Sequence, residues 1–289
     1  MLVLEVSKEY ENVRIDRVAR QLMKGFSLSY VFSSFRKGKI KVNSKKVDQS
    51  YRLQLGDNVV FYDLVGTVEK KNAEVVVSKE ACIELSKQIV FENDDFLLFN
   101  KNGNQVIHTG SEHEVGLVEI LKQYYNNPDL TAINRLDKPT WGLVLIGKNK
   151  SSIRMLSQYQ KNSEITKKYL AICKGSIKKN EFFIDKALLT CDENVIVSKE
   201  GKVSKTGVKC LLSRSDINLV ELELFTGRKH QIRVHLASEK LPIIGDYKYG
   251  IKFGKKMYLG SYYIEIKPLN FKFEIESIKE TFVNIIMGE

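Results

Sequence analysis

Apolar residues at Ile15, Val18, Ala19 and Leu22, and again at Leu28, Val31, Phe32 and Phe35, recur at i, i+3, i+4 and i+7, the spacing of a helix with one buried face. Gly25 and Gly38 stand where C-terminal caps belong and Ser27 where an N-cap belongs, so two short helices are predicted. After Gly38 the period changes to two in Lys39-Ile40-Lys41-Val42, and the turn-like Asn43-Ser44 follows. A hairpin and a short sheet ending near Val59 to Tyr62 are expected there. Residues 64–87 show no clean apolar face and read as a linker with room for one strand. From Gln88 onward, Ile89-Val90-Phe91 and Phe96-Leu97-Leu98-Phe99 read as buried strands around the turn Glu92-Asn93-Asp94-Asp95. Further strands are predicted over 142–146, 168–173, 207–212, 218–225 and 271–275, and helices over 115–125, 150–160 and 229–238. Strands in hairpin succession, broken by few helices, argue for an α+β protein and against a regular βαβ alternation. The predicted organisation is a small helix-helix-hairpin domain over 1–63, a linker over 64–87, and a mixed, largely antiparallel β-sheet domain with flanking helices over 88–289. No internal repeat or low-complexity segment interrupts it.

Composition adds a partner to this picture. A chain of 289 residues, 43% hydrophobic, can build two cores, and 46 basic against 35 acidic residues leave a net charge of +11. Such a surface attracts polyanions. The charge is concentrated: Arg14, Arg17, Arg20, Lys24, Arg36, Lys37, Lys39, Lys41, Lys45 and Lys46 face one acid, Asp16, so this segment alone carries 10 − 1 = +9. A charged, solvated helical face would have the same composition. RNA binding is favoured because the charges gather at helix ends and the hairpin. A membrane partner fits less well, since no apolar run reaches bilayer length and the first residues lack the basic head and long apolar stretch of a secretory signal. The expectation is a cytoplasmic monomer without membrane contact. Cys82, Cys173, Cys191 and Cys210 are scattered singly and read as buried small hydrophobes; with His108, His113, His230 and His235 they form no metal-ligand pattern, so no metal is expected. Neither G-x-G-x-x-G nor a P-loop is present, which leaves a reaction without cofactor as the simplest reading.

The string Ala132-Ile133-Asn134-Arg135-Leu136-Asp137-Lys138-Pro139-Thr140-Trp141-Gly142-Leu143-Val144-Leu145 places one carboxylate in a loop braced by Pro139 and Gly142 before a buried strand. Spacing alone favours an Asx-turn aspartate that caps its own backbone. A rigidly held carboxylate in a cleft is the alternative.

Resemblance to known families separates these readings. The string is similar to the His-Arg-Leu-Asp-x-x-Thr-Ser-Gly motif of the RluA-type pseudouridine synthases. Thr166-Lys167-Lys168-Tyr169-Leu170-Ala171 resembles the family's Lys-x-Tyr segment. Phe225-Thr226-Gly227-Arg228-Lys229-His230-Gln231-Ile232-Arg233-Val234-His235 resembles its Gly-Arg-Thr-His-Gln-Ile-Arg-Val-His segment, and Pro242-Ile243-Ile244-Gly245-Asp246 with Tyr249-Gly250 follows in the family's order. These motifs run from about Gln88 to Gly250. The helix-helix-hairpin segment with Leu55-Gly56-Asp57 near its end resembles, over about Tyr10 to Asp63, the small RNA-binding domain named after ribosomal protein S-four, a usual companion in that family.

The resemblance implies Asp137 as catalytic aspartate, Tyr169 as the tyrosine lying against the target base, and Arg233 as the arginine paired with the aspartate. It also implies that Arg135 helps displace the target nucleotide from its stack. Arg228, His230 and Gln231 are expected near substrate, as turn and supporting residues, and Arg36, Lys37, Lys39 and Lys41 on the RNA backbone. From the residues themselves, Tyr169 could equally be a core aromatic and Arg233 a helix-surface base, and His235 reads as a packed helix histidine. The chain departs from the pattern at Asn134 (usually His), Trp141 (usually Ser), Lys229 (usually Thr) and Asn102 (usually Pro). Asn134 and Trp141 flank the aspartate, so the pocket's shape and the preferred RNA loop are open at this stage.

The implied reaction breaks the bond between the sugar's anomeric carbon and the base nitrogen, turns the uracil, and rejoins it through carbon five. No atoms are added. A carboxylate can form a covalent adduct with the sugar or remove a sugar proton toward a glycal, and the sequence leaves both routes open. The base must be flipped or already unstacked. The expected substrate is large-subunit ribosomal RNA or its precursor, with transfer RNA as an alternative. A ribosome-associated RNA-binding protein without activity, a uracil-releasing glycosylase and an RNA methyltransferase are the rival readings. The intact Arg-Leu-Asp, Tyr169 and Gln-Ile-Arg oppose the first, free uracil would betray the second, and the third lacks a glycine-rich cofactor loop.

Overall fold

The computed structural model describes residues 2–23, 26, 28–62, 77–109 and 115–287. The chain divides into two compact units, Met1–Val76 and Val77–Glu289. The caps assigned to Gly25 and Ser27, the residue His113 and most of the segment read as a linker lie outside the described residues.

The first unit runs β1 (Leu2–Glu5), α1 (Ile15–Leu22), α2 (Leu28–Arg36), β2 (Ile40–Val42), β3 (Lys45–Lys46) and β4 (Asn58–Phe61), with sheet order β1-β4-β2-β3. Ile15, Val18, Ala19, Val31 and Phe35 bury the helical faces that the spacing predicts, against Ile40, Val42, Val59 and Phe61. Phe35 is 3% exposed, so its truncation to Ala would cost about 3–5 kcal/mol. The second helix stops at a left-handed Gly38 (φ +66°), where the Lys39 N–H donates to Ser34 O and the Gly38 N–H to Phe35 O. That pairing satisfies the last carbonyls and turns the chain into β2. Asn43 and Ser44 both take positive φ, as a two-residue hairpin between twisted strands requires. Asp57, buried, accepts from Asn43 Nδ2 at 2.8 Å, Gln54 N at 2.9 Å and Tyr51 Oη at 3.1 Å, and so fastens the hairpin turn to the loop before β4. The edge strand β1 escaped the sequence reading, since it is four residues long and mostly exposed.

The second unit runs α3 (Lys79–Ser86), β5 (Ile89–Glu92), β6 (Phe96–Lys101), α4 (Leu117–Tyr124), β7 (Thr131–Ala132), β8 (Trp141–Gly147), α5 (Lys150–Lys161), β9 (Ile165–Lys174), β10 (Glu181–Asp185), β11 (Leu188–Cys191), β12 (Asn194–Val197), β13 (Lys205–Arg214), β14 (Ile217–Leu224), α6 (Gln231–Ser238), β15 (Leu259–Ile266), β16 (Phe271–Glu274) and α7 (Glu276–Met287). A ten-stranded sheet has the order β10-β13-β14-β9-β15-β8-β6-β5, with β16 on β15 and β7 on β8. Its pairings are antiparallel except β15 with β8. Alternation along β9 sends Tyr169, Ala171 and Cys173 to the face covered by α4 and α6, and Leu170 and Ile172 to the face covered by α5 and α7. The protein is thus of the α+β class, built on one large mixed sheet.

The structure corrects the sequence reading in several places. Residues 79–86, read as linker, form α3, capped by Ser78, whose hydroxyl accepts from Ala81 N; only Cys82 and Leu85 are buried, too narrow a stripe to signal a helix. The helix expected over 229–238 begins at Gln231 because His230 takes a left-handed conformation (φ 54°). The central strand β15 was not anticipated. Cys82 and Cys173 are buried as expected, but Cys210 is half-buried and Cys191 lies exposed on the β11–β12 hairpin.

Candidate active site

Three separated stretches of chain meet at the beginning of the parallel pair β8–β15 in the middle of the sheet. The first is the loop over 133–140, which carries Asp137. Its shape is imposed from below: the Asn134 side chain donates to Leu143 O and accepts from Leu145 N, stitching the loop to β8, and Thr140 N donates to Asp137 O at 3.0 Å. Lys101 lies wholly buried under it, its ammonium donating to the carbonyls of Asn102, Gln105 and Lys138 at 2.9–3.0 Å. Burial pulls the pKa of Lys101 down to about 8, against the attraction of Asp137. At Gly142 (φ +101°) a Cβ would sit 2.0 Å from the Ser261 carbonyl oxygen, so the close passage of β8 against β15 admits no side chain.

Helix α6 supplies the second stretch. Arg233 is 5% exposed yet fully engaged: Nη1 donates to Asp137 Oδ2 at 3.1 Å, while Nε and Nη2 form a two-pronged pair with Asp246 at 2.8 and 2.7 Å. Burial opposes the charge on Arg233, but the hydrogen bonds and charges of Asp246 and Asp137 outweigh it and raise the pKa. The same balance holds for Asp246 with the sign reversed. Burial raises its pKa, whereas Arg233 and the backbone N–H groups of Lys248 and Tyr249 together bring it below 3.8.

The third stretch, after α6, brings Asp246 and Tyr249. The Tyr249 hydroxyl accepts from Val195 N at 3.0 Å and lies 2.8 Å from His230 Nδ1, and His230 Nε2 stands 4.0 Å from Asp137 Oδ2. Val195 N–H occupies one lone pair of that hydroxyl, and donation of its proton to Nδ1 would put the imidazole proton on Nε2, facing Asp137. Desolvation lowers the pKa of His230, with Arg233, Lys229 and Lys248 acting in the same direction and Asp137 against. Tyr169 forms one wall: it is 4% exposed, its hydroxyl is hydrogen-bonded to Ser261, and burial pushes its pKa up strongly.

A pocket opens between these stretches, lined by Arg135, Leu136, Asp137, Thr140, Tyr169, Leu224, Arg228, His230, Gln231, Ile232, Arg233 and Leu259. Its walls are mostly apolar, with one carboxylate, 26% exposed, held by arginine. That combination suits a flat, neutral heterocycle attached to a sugar that must meet a fixed anion. The pocket brings together Asp137, Tyr169, Arg233, Arg135, Arg228, His230 and Gln231. Arg135 and Arg228 are exposed, and Arg228 Nε donates to Val203 O at 3.1 Å. Gln231 is buried with its amide occupied by Thr226, Arg228 N, Lys205 O and Thr206, so it holds the 226–230 turn. His235 is packed as expected, fully buried between Ser204, Thr206 and the Lys186 carbonyl. Asn134 and Trp141 are not among the lining residues: Trp141 donates to Met257 O and stacks on Phe282. The pocket's walls therefore do not carry these two departures from the motif. Sequence reasoning missed Asp246, Tyr249 and Lys101 as site residues, although Asp246 and Tyr249 lay inside a quoted motif.

Comparison with known proteins bears on this geometry. The profile of the family described as RNA pseudouridylate synthase matches residues 95–238, a span that includes Asp137, Tyr169 and Arg233. Ribosomal large subunit pseudouridine synthase C of Haemophilus influenzae is 33% identical over 264 residues, covering 88% of this chain and 81% of that protein. The chain belongs to the RNA pseudouridylate synthase family. The protein of the same description from Buchnera aphidicola is 32% identical over 258 residues, covering 86% of this chain and 81% of its own length. Among solved structures, human RNA pseudouridylate synthase domain containing 1 superposes with a TM-score of 0.54 at 26% identity, over 65% of this chain and 81% of that one. As a member of the family the chain is a pseudouridine synthase, an isomerase. Among the described residues no cluster of His, Cys, Asp or Glu could hold a metal ion, and no helix is long and apolar enough to cross a membrane.

Proposed function

We propose that this chain isomerises uridine to pseudouridine in large-subunit ribosomal RNA, with Asp137 as the reacting carboxylate. The observation that supports it most is the Asp137–Arg233–Asp246 arrangement beside Tyr169: a carboxylate partly open to the pocket, anchored at 3.1 Å by an arginine that a second, buried aspartate holds rigid. Asp137 acts on the anomeric carbon or on a sugar proton of the bound nucleotide, Tyr169 lies against the uracil ring, and Arg233 orients the carboxylate. Arg135 at the mouth fills the gap that the extruded nucleotide leaves. The ribosomal target rests on the descriptions of the relatives named above.

The first unit serves as an RNA anchor similar to the S-four domain. Its helix pair, hairpin and Asp57 staple support that reading, as do the exposed Arg36 and Lys37 beside Lys39 and Lys41. Arg14 and Arg20 contribute less, because both are paired with the buried Asp16. Mapping pseudouridine in large-subunit ribosomal RNA and in transfer RNA from cells with and without the gene tests the assignment. One or more large-subunit uridines should lose modification, and Asp137→Asn should fail to restore them while still binding RNA. Loss confined to transfer RNA would replace the ribosomal target, and restoration by Asp137→Asn would remove the catalytic role.

A further inference from the structure

Apart from Tyr249, the stretch Tyr247 to Lys256 is absorbed by none of the roles above, and it follows directly on the site residue Asp246. Its base is fixed there. Asp246 grips Arg233, Tyr249 is bonded to His230, and Gly245 (φ +80°) lies so close to the Lys256 carbonyl that a Cβ would sit 2.0 Å from it. Ile251 N donates to Ile243 O at 3.0 Å and Gly245 N to Ile251 O at 2.8 Å, folding the chain back on itself. The tip is closed by the Tyr247 hydroxyl, which donates to the Gly254 carbonyl, with Gly254 in the left-handed region (φ +58°). The loop is thus closed by hydrogen bonds at its base and its tip.

What the tip presents is unusual for a solvated loop. Tyr247 is 59% and Phe253 62% exposed, and they stand among Lys248, Lys252, Lys255 and Lys256, while no acidic residue occurs from 247 to 264. Lys248 reaches the Glu193 carbonyl and Lys256 lies 3.9 Å over the Trp141 ring. Lys252 and Lys255 are exposed and make no ion pair among the described residues. Unpaired ammonium groups beside exposed aromatic rings are the combination that single-stranded nucleic acid uses, phosphates on the cations and bases on the ring faces.

We infer that the loop Tyr247 to Lys256 cradles the single-stranded RNA flanking the target uridine, with Lys252 and Lys255 on phosphates and Phe253 under a base. The inference rests on the RNA substrate proposed above and adds a second contact surface, on the catalytic unit itself. Binding is measured with the full-length protein by fluorescence anisotropy, using a short single-stranded oligouridylate and an abasic ribose-phosphate strand of the same length. Lys252→Ala with Lys255→Ala should make the log–log salt dependence shallower by about 1.4, two phosphates at about 0.7 each. Phe253→Ala should weaken oligouridylate at least about fivefold, leave the abasic strand unchanged, and be rescued by Phe253→Tyr. On ribosomal RNA the same variants should raise KM and leave kcat. An unchanged salt slope, or a Phe253→Ala effect that is absent or equal on both strands, would overturn the inference. Because these side chains are exposed, circular dichroism should show an unaltered fold in every variant. The binding arms give their answer whether or not pseudouridine forms, so a failure of the catalytic assignment at Asp137 is seen separately.

Discussion

Removing Asp246 should injure the protein in two separable ways. Its carboxylate is 1% exposed in the side chain and makes two hydrogen bonds to Arg233, which is itself 6% exposed. In Asp246→Ala the guanidinium stays buried with one remaining acidic partner, the more open Asp137 at 3.1 Å. Breaking a buried pair from one side costs about 3–5 kcal/mol, a large part of the roughly 5–15 kcal/mol that holds a typical domain folded. At about 2–4 °C per kcal/mol for a unit of this size, the melting temperature should fall by about 6–20 °C. The pH dependence has a definite sign. The folded pKa of Asp246 lies below 3.8, so the stability it contributes is present above that value and is lost as pH falls through the folded pKa. The gap between wild type and variant should therefore be constant near neutrality and close in acid. Activity should fall as well, because Arg233 loses the grip that aims Nη1 at Asp137. Adding Arg233→Met to Asp246→Ala removes the stranded charge and should restore part of the stability while turnover stays lost. Calorimetry across pH with single-turnover kinetics on the same samples reads both effects. A loss below about 1 kcal/mol with normal turnover would refute the reasoning, since that is what an exposed pair contributes.

Tyr169→Phe keeps the ring and deletes the hydroxyl bonded to Ser261, so RNA affinity should hardly change, whereas Tyr169→Ala should cost about 1–3 kcal/mol of stacking in a binding titration; equal affinities would remove the platform role. A chain beginning at Val77 should fold, because the cores on both sheet faces lie wholly within that unit, and its RNA binding should be weaker with a log–log salt slope shallower by roughly 3–4 if about five basic residues touch phosphates; an unchanged slope would make the basic segment a solvated face. His230 should be neutral at pH 7 with its proton on Nε2 and should protonate only below 6.5, a stabilising neutral form that is lost as pH falls through the lowered pKa. Nitrogen-15 spectra of the imidazole would contradict this by showing a proton on Nδ1.

The elements that the sequence disclosed are those whose burial is one-sided. The helical faces of α1 and α2 and the alternation into β2 each put apolar residues on one side only, and their spacing reads directly as geometry. Strand β15 fails that test over its first half, where both faces are covered: Leu259, Gly260, Ser261 and Tyr262 are buried in succession, so alternation begins only at Tyr262, and Gly260 and Ser261 interrupt the apolar run near its start. Those two small residues look like a turn in sequence. In the fold they let Phe282 and the Gly142 backbone approach β15. Helix α7 hides differently, since its buried residues Ile278, Phe282 and Ile286 recur at every fourth place and form a stripe too narrow to stand out beside the exposed Ile285 and Met287.

The site shows the same division between what is local and what is assembled. Asp137, Tyr169 and Arg233 could be found because each stands in a contiguous string that resembles a family motif. The functional state of Arg233 is decided by Asp246, thirteen positions away and beyond the end of α6, and by Asp137, ninety-six positions earlier. One guanidinium cannot serve both carboxylates unless the helix end, the 133–140 loop and the 242–250 segment are fixed relative to one another. Lys101, Gly142 and Gln231 do that fixing through backbone atoms, where residue identity leaves a weak trace in a single sequence. A stationary carboxylate is what the proposed reaction asks of Asp137, and Arg233 can supply it because two of its three nitrogens are held by the buried Asp246 while the third donates to Asp137.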